Sequence, residues 1–267
     1  MGFELDAYLR RVGYGGYTRP TYETLAALLR AHMLAVPFEN LDVLLGRGVR
    51  LDLDGLQDKL VRRRRGGYCF EQATLFGAAL EALGFTVSRH LARVTLFAPR
   101  TEVARTHMFL TVALPEGRFV VDPGFGALAS EVPLPLEGAG FDRPRSATHR
   151  IDAEGGLRVL RALDDGQWVD AWVSTLEREN PADFEMGNHF TATHPSSAFV
   201  NRLMLRALTP DGRVTVMNRD AKIRAGGAPP VARTLDRPGL RALLGDYFGF
   251  DLPEVEHLRV PTIREWT

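Results

Sequence analysis

The chain has 267 residues, 45% apolar and 25% charged, enough apolar material to bury a core without crosslinks. Positive and negative side chains balance at 33 each, which argues against nucleic acid or another polyanion as a partner. The single cysteine excludes an internal disulfide, Met1–Arg10 lacks the apolar run of a secretory signal, and no segment approaches the roughly 20 apolar residues of a membrane helix; a soluble cytoplasmic protein is expected.

The first third reads as helix. Thr21 is placed to cap a helix, with Glu23 in its first turn where the dipole favours an anion. Leu25, Leu28, Leu29 and His32 or Met33 then fall at helical spacing, and Pro37 ends the element. A second helix is expected over Leu53–Arg64, and a third from Cys69 to Leu83, with Gly84 as its C-terminal stop. From Phe85 the pattern changes to strands: Thr86–Val94, Thr106–Leu114 and Arg118–Val121, the last two joined by a Pro115-Glu116-Gly117 turn. Gly138–Arg150 reads as a loop. Leu157–Leu163, Trp168–Val173 and Phe199–Ala207 continue the β pattern, Asp211-Gly212 marks a hairpin leading into Val214–Met217, and Pro238–Phe248 is a late amphipathic helix. The expected lobes are 1–85 (helical), 86–185 (β-rich) and 186–267 (α/β).

Cys69 follows Gly66-Gly67 and stands at the start of a helix, where the dipole favours a thiolate, the reactive form. A lone cysteine is more often a buried structural thiol, so its position alone decides nothing. A nucleophile needs a base, and seven histidines compete: His32, His90, His107, His149, His189, His194 and His257. His107 lies among apolar neighbours on a predicted strand, where an imidazole must be hydrogen-bonded to a backbone carbonyl or to a functional partner. Asp122 ends the next strand; it is either an Asx-turn residue or the group that orients His107 from the adjacent strand. No HExxH or CxxC spacing supports a metal site, and Gly13 to Gly16 lacks the rest of a phosphate loop.

At this point the chain resembles the arylamine N-acetyltransferase family. Arg65-Gly66-Gly67-Tyr68-Cys69-Phe70-Glu71 is similar to its active-site signature. Val36-Pro37-Phe38-Glu39-Asn40-Leu41, Thr106-His107-Met108, Asp122-Pro123-Gly124-Phe125-Gly126 and Asn188 to Val200 match further segments in the same order. The resemblance implies an α+β fold of N-terminal helical bundle, central β-barrel and C-terminal α/β lid, with a cysteine-protease-like triad of Cys69, His107 and Asp122. It implies a ping-pong transfer of acetyl from acetyl-CoA, a co-substrate with no bound cofactor, to an arylamine, arylhydrazine or N-arylhydroxylamine. Phe38, Phe125 and Phe199 then line the acceptor pocket. Gly124, Gly126, Phe190 and Ser196 contact CoA. Arg65 pairs with Glu39 to pin the cysteine loop, and Arg62 and Arg63 form a solvated helix end. A homo-oligomer is compatible with the sequence but not dictated by it. Two departures stand out: Ala73 and Thr74 replace the family's asparagine and glycine, and Pro123 replaces a small aliphatic residue. Macrolactam-forming amide synthases share the fold and triad but take a polyketide thioester, and a hydrolase of the transglutaminase-like type would use water as acceptor.

Overall fold

In the computed structural model, which describes residues 2–137 and 146–266, helices come first. α1 spans Leu5–Val12 and α2 spans Tyr22–Ala35. The Thr21 hydroxyl accepts the Thr24 N–H at 3.3 Å, satisfying one of the helix's orphan donors as expected. A two-residue strand β1, Phe38–Glu39, leads into the one-turn helices α3, Leu41–Leu44, and α4, Leu53–Leu56. The helix expected over Leu53–Arg64 is α-helical only to Leu56; Gln57–Arg62 widens into a π-helical turn, which brings Gln57, Lys59, Leu60 and Val61 all inward. α5 spans Cys69–Ala82, and Gly84 takes φ +83° beyond its end.

Seven strands follow: β2 (Thr86–Val94), β3 (Arg105–Leu114), β4 (Gly117–Val121), β5 (Leu134–Pro135), β6 (His149–Glu154), β7 (Leu157–Asp164) and β8 (Gln167–Ser174). They form one antiparallel sheet in the order β5-β4-β3-β2-β8-β7-β6. Its edge strands β5 and β6 come together, so the sheet curls into a nearly closed barrel. Of the loop expected over Gly138–Arg150, residues 138–145 lie outside the described residues. Its last two, His149 and Arg150, instead begin β6, paired with Ala162 and Arg161. α5 packs on β2 and β3, and one apolar core joins the first helices to the barrel through Leu28, Phe70, Phe76, Phe109 and Trp172.

α6, Pro181–Thr193, carries little apolar periodicity, which is why the pattern missed it; its start is signed instead by Pro181 and by Asp183, whose carboxylate accepts the Asn180 N–H at 2.8 Å. The strand expected over Phe199–Ala207 is corrected. Ala198–Asn201 is a turn of helix, α7, because the Ser197 hydroxyl caps it, and the strand begins only at Met204. β9 (Met204–Thr209), β10 (Gly212–Met217), β11 (Asp220–Ala225) and β12 (Val231–Thr234) form a second sheet with β1, in the order β1-β9-β10-β11-β12. α8, Arg237–Leu243, with a π-helical continuation over Leu244–Phe248, covers one face of it through Leu240, Leu244 and Phe248. Phe38 and Glu39 therefore tie the N-terminal helices to the second sheet: Phe38 pairs with Arg206 and Glu39 with Leu205.

Candidate active site

Cys69 is the first residue of α5 and is buried, only 2% exposed. The loop before it is threaded against β1: Gly67 N–H donates to Pro37 O at 3.1 Å and Glu39 N–H donates to Gly67 O at 3.2 Å. A side chain at position 66 would put its Cβ 2.2 Å from Pro37 O, so this approach needs glycine.

Five buried charges fix that loop. Arg65 donates to Glu39 Oε1 from Nη2 at 2.6 Å and from Nε at 3.1 Å, and lies 3.2 Å from Asp42. The expected Arg65–Glu39 pair is thus present. Lys59 Nζ, delivered by the π-helical turn, reaches Asp42 at 2.8 Å and Glu71 at 2.7 Å. Glu71 Oε2 in turn accepts the Tyr68 N–H at 3.0 Å, one residue before the cysteine. Burial opposes the charges on Lys59 and Arg65, but the surrounding carboxylates hold both above their ordinary values. Arg62 and Arg63 make exposed pairs with Glu4 and Asp58, consistent with a solvated helix end.

Continuing the β3–β4 register past Leu110↔Val121 sets Asp122 opposite Phe109, with His107 as its diagonal neighbour on the same face. The two side chains meet: His107 Nε2 donates to Asp122 Oδ2 at 2.8 Å. Trp172 Nε1 donates to the same oxygen at 3.0 Å, and its ring stacks on Phe109 at 4.3 Å. Among the described residues Asp122 Oδ1 has no hydrogen-bond partner, and the carboxylate is held through Oδ2. Nε2 being engaged, Nδ1 is the ring nitrogen left for Cys69. Burial works against an imidazolium at His107, but the Asp122 charge, its hydrogen bond and the interaction with Cys69 outweigh it and raise the pKa to about 10.

Cys69 and His107 line a cavity of about 730 Å³. Phe38, Phe125, Phe199, Gly124, Gly126, Phe190 and Ser196 all line it too, while Asp122 stands behind the wall. Phe125 packs edge-on to His107 at 5.0 Å, and Phe38 edge-on to Phe199 at 6.2 Å. Gly124 presses on the Cys69 backbone: a Cβ there would lie 2.5 Å from Cys69 Cα. Phe190 stacks on His194 at 4.2 Å.

Several positioning residues escaped the sequence reading. Asn40 Nδ2 donates to Phe199 O at 2.8 Å and Arg202 O at 2.7 Å, while its Oδ1 accepts the Met204 N–H at 2.9 Å; one amide holds two cavity-lining residues. Asn188 Oδ1 accepts the Tyr68 hydroxyl, joining α6 to the start of α5. Both asparagines lie in segments that match the family, Val36–Leu41 and Asn188–Val200, but neither carried an expected role. Val94, Leu96, Phe97 and Val103 add apolar lining from the β2–β3 end of the barrel. Ala73 is fully buried one turn beyond Cys69, and nothing in the structure explains why it replaces the family's asparagine. Among the described residues no acidic, histidine or cysteine cluster could hold a metal, and no helix is long and apolar enough to cross a membrane.

Comparison with known proteins identifies the family. An N-acetyltransferase family model matches residues 21–257. The chain is 37% identical to an arylamine N-acetyltransferase of Mycolicibacterium smegmatis over 96% of its length and 94% of the relative's. It is 35% identical to a Salmonella typhimurium arylamine N-acetyltransferase / N-hydroxyarylamine O-acetyltransferase over 95% and 91%. A Mycobacterium marinum arylamine N-acetyltransferase solved in complex with CoA superposes with a TM-score of 0.86 at 37% identity, covering 94% of each chain. A solved M. smegmatis enzyme gives 0.89 at 35%, covering 98% of this chain and all of its own. The chain belongs to the arylamine N-acetyltransferase family of transferases.

Proposed function

We propose that the chain transfers acetyl from acetyl-CoA to arylamines, arylhydrazines or N-arylhydroxylamines through an acetyl-Cys69 thioester. The observation that carries this reading is the 2.8 Å His107–Asp122 contact set behind Cys69 on the wall of one aromatic cavity.

The proton count closes over two steps. Against the opposing effect of burial, Asp122 holds His107 up to about 10; His107 is the proton carrier, and the Cys69 sulfur is the nucleophile. The sulfur attacks the thioester carbonyl of acetyl-CoA, and the oxyanion develops beside the start of α5, where the helix dipole favours negative charge. The C–S bond to CoA breaks, and the departing thiolate takes the proton from the imidazolium. His107 is now neutral, still oriented by Asp122. The amine then attacks the acetyl-cysteine, gives its proton to His107, and the Cys69 thiolate leaves, restoring the starting pair.

Phe38, Phe125 and Phe199 give an aromatic acceptor edge-to-face and offset contacts, while Gly124, Gly126, Phe190 and Ser196 border the donor's path. We assign the chain to the cytoplasm and divide it at 85 and 185 into helical, barrel and α/β lobes. Intact-mass spectrometry tests the mechanism: acetyl-CoA should add about 42 Da to the protein, the adduct should disappear on adding an arylamine, and Cys69→Ser should abolish it. An adduct that persists in Cys69→Ser would overturn the reading.

A further inference from the structure

The second sheet carries two arginines that neither the fold nor the proposed reaction uses. Arg206 on β9 is 5% exposed, and Arg213 on β10 is half-buried. Strand register puts them on one face. Arg206 stands directly opposite Thr215, and Arg213 lies two residues from Thr215 along the same strand. That face is a wall of the catalytic cavity, since Thr215, Met217 and Lys222 line it, and Phe38 is the partner of Arg206 on the other side.

Among the described residues, other buried cations have partners: Arg65 pairs with Glu39 and Lys59 with Glu71, and Arg11 donates to the Leu60 and Arg64 carbonyl oxygens. Among the described residues, neither Arg206 nor Arg213 donates a hydrogen bond or lies within ion-pair distance of a carboxylate, and the Nε of each is enclosed without a partner. The two cations act on one another, and each acts on His149, whose ring is kept neutral first by burial. The acid that acts on Arg206 is Glu131, but its carboxylate is already held by Arg30. Arg224, opposite Arg213, is held by Asp165 at 3.6 Å. An enclosed guanidinium without a counter-charge is a costly arrangement that a bound anion relieves.

We propose that Arg206 and Arg213, with the Thr215 hydroxyl between them, form an oxyanion-binding site entered from the Arg213 side. It takes a sulfate-, phosphate- or carboxylate-type group. Guanidinium groups match such anions through paired N–H donors. The group arrives either as a free inorganic ion or as the anionic part of a molecule seated in the adjoining cavity.

Melting temperature of the full chain, measured in sodium sulfate against sodium chloride at equal ionic strength, tests the site. Sulfate should raise the wild-type Tm by several degrees, and Arg206→Met and Arg213→Met should each abolish the gain. In chloride alone, Arg206→Met should match or exceed the wild-type Tm, because it removes an uncompensated buried charge. A sulfate gain that survives in both variants, or no gain in wild type, overturns the proposal. Repeating the sulfate titration with CoA or 4-aminobenzoate present separates the sources. Loss of the sulfate gain means the molecule's own anionic group fills the site; an undiminished gain means the site is independent and takes the free ion.

Discussion

Replacing Arg65 by methionine isolates the buried ion network as the support of the cysteine loop. The substitution keeps the length of the stem and its contact near the Phe250 ring, which lies 5.0 Å from the guanidinium. It removes both hydrogen bonds to Glu39 Oε1 and leaves that side chain, 0% exposed, with Lys59 at 3.9 Å as its nearest cation. Lys59 is already shared between Asp42 and Glu71. Removing one partner of a buried pair costs about 3–5 kcal/mol, mostly for the charge left behind. At roughly 2–4 °C per kcal/mol for a chain of this size, the expected loss in Tm is about 6–20 °C. Differential scanning calorimetry reads the loss. The second substitution, Glu39→Gln in the Arg65→Met background, removes the stranded charge, so it should recover part of the stability and show a coupling of the order of 1–3 kcal/mol. Acylation monitored by mass spectrometry should slow about tenfold or more, since the loop that carries Cys69 loses its anchor. A Tm within about 2 °C of wild type together with an unchanged acylation rate would refute the claim that this network holds the nucleophile.

Three other outcomes follow from the geometry. Gly124→Ala should fold but acylate at least about tenfold more slowly, because its Cβ would have to displace the Cys69 backbone from 2.5 Å; single-turnover acylation reads this directly. Asn40→Ala should raise the KM for arylamines more than it lowers the acylation rate, because it releases the Phe199 and Met204 backbone without touching the triad; steady-state and acylation assays on one preparation separate the two effects. Stability should also form a dome in pH. His107, raised from 6.5 to about 10, contributes stability that is fully present below pH 6.5 and lost as pH climbs through 10; His32, lowered by burial from 6.5 to about 3, contributes stability present above 6.5 and lost as pH falls toward 3. In Asp122→Asn the alkaline limb of a Tm-against-pH curve should flatten while the acid limb stays; an unchanged alkaline limb would mean that the aspartate does not set the imidazole's charge.

The parts of the molecule legible in the sequence are those built from local rules. The Thr21 cap, the α5 start at Cys69 and the β3–β4 hairpin depend on neighbours a few residues apart, and each stands where spacing put it. Illegible parts depend on partners far along the chain. Nothing local marks Lys59 as buried: its segment reads as a helix whose apolar face is Leu53, Leu56 and Leu60, and the π-helical turn, with Asp42 and Glu71 as partners, turns the ammonium inward. Phe199–Asn201, the start of the strand expected over Phe199–Ala207, lies instead in a turn of helix held by the Ser197 cap and by the clamp from Asn40, 159 residues away from Phe199.

The same contrast explains how the site is assembled. Cys69 comes from α5, His107 and Asp122 from the barrel sheet, and the aromatic wall from α7 and β1. No one of these elements packs the whole site against a single core. Apolar contacts set only approximate distances between lobes, because such packing has little directional preference. Hydrogen bonds and ion pairs with fixed geometry supply what is missing: Arg65 and Glu71 at the cysteine loop, Trp172 at the aspartate, Asn40 and Asn188 at the second sheet and α6. Each of these polar groups is costly to bury unless its partner arrives from another lobe, so the arrangement is stable only when all the lobes are docked. A cavity assembled in this way is already formed before substrate arrives, and orientation of the thiol, imidazole and acceptor is then obtained at folding rather than at each turnover.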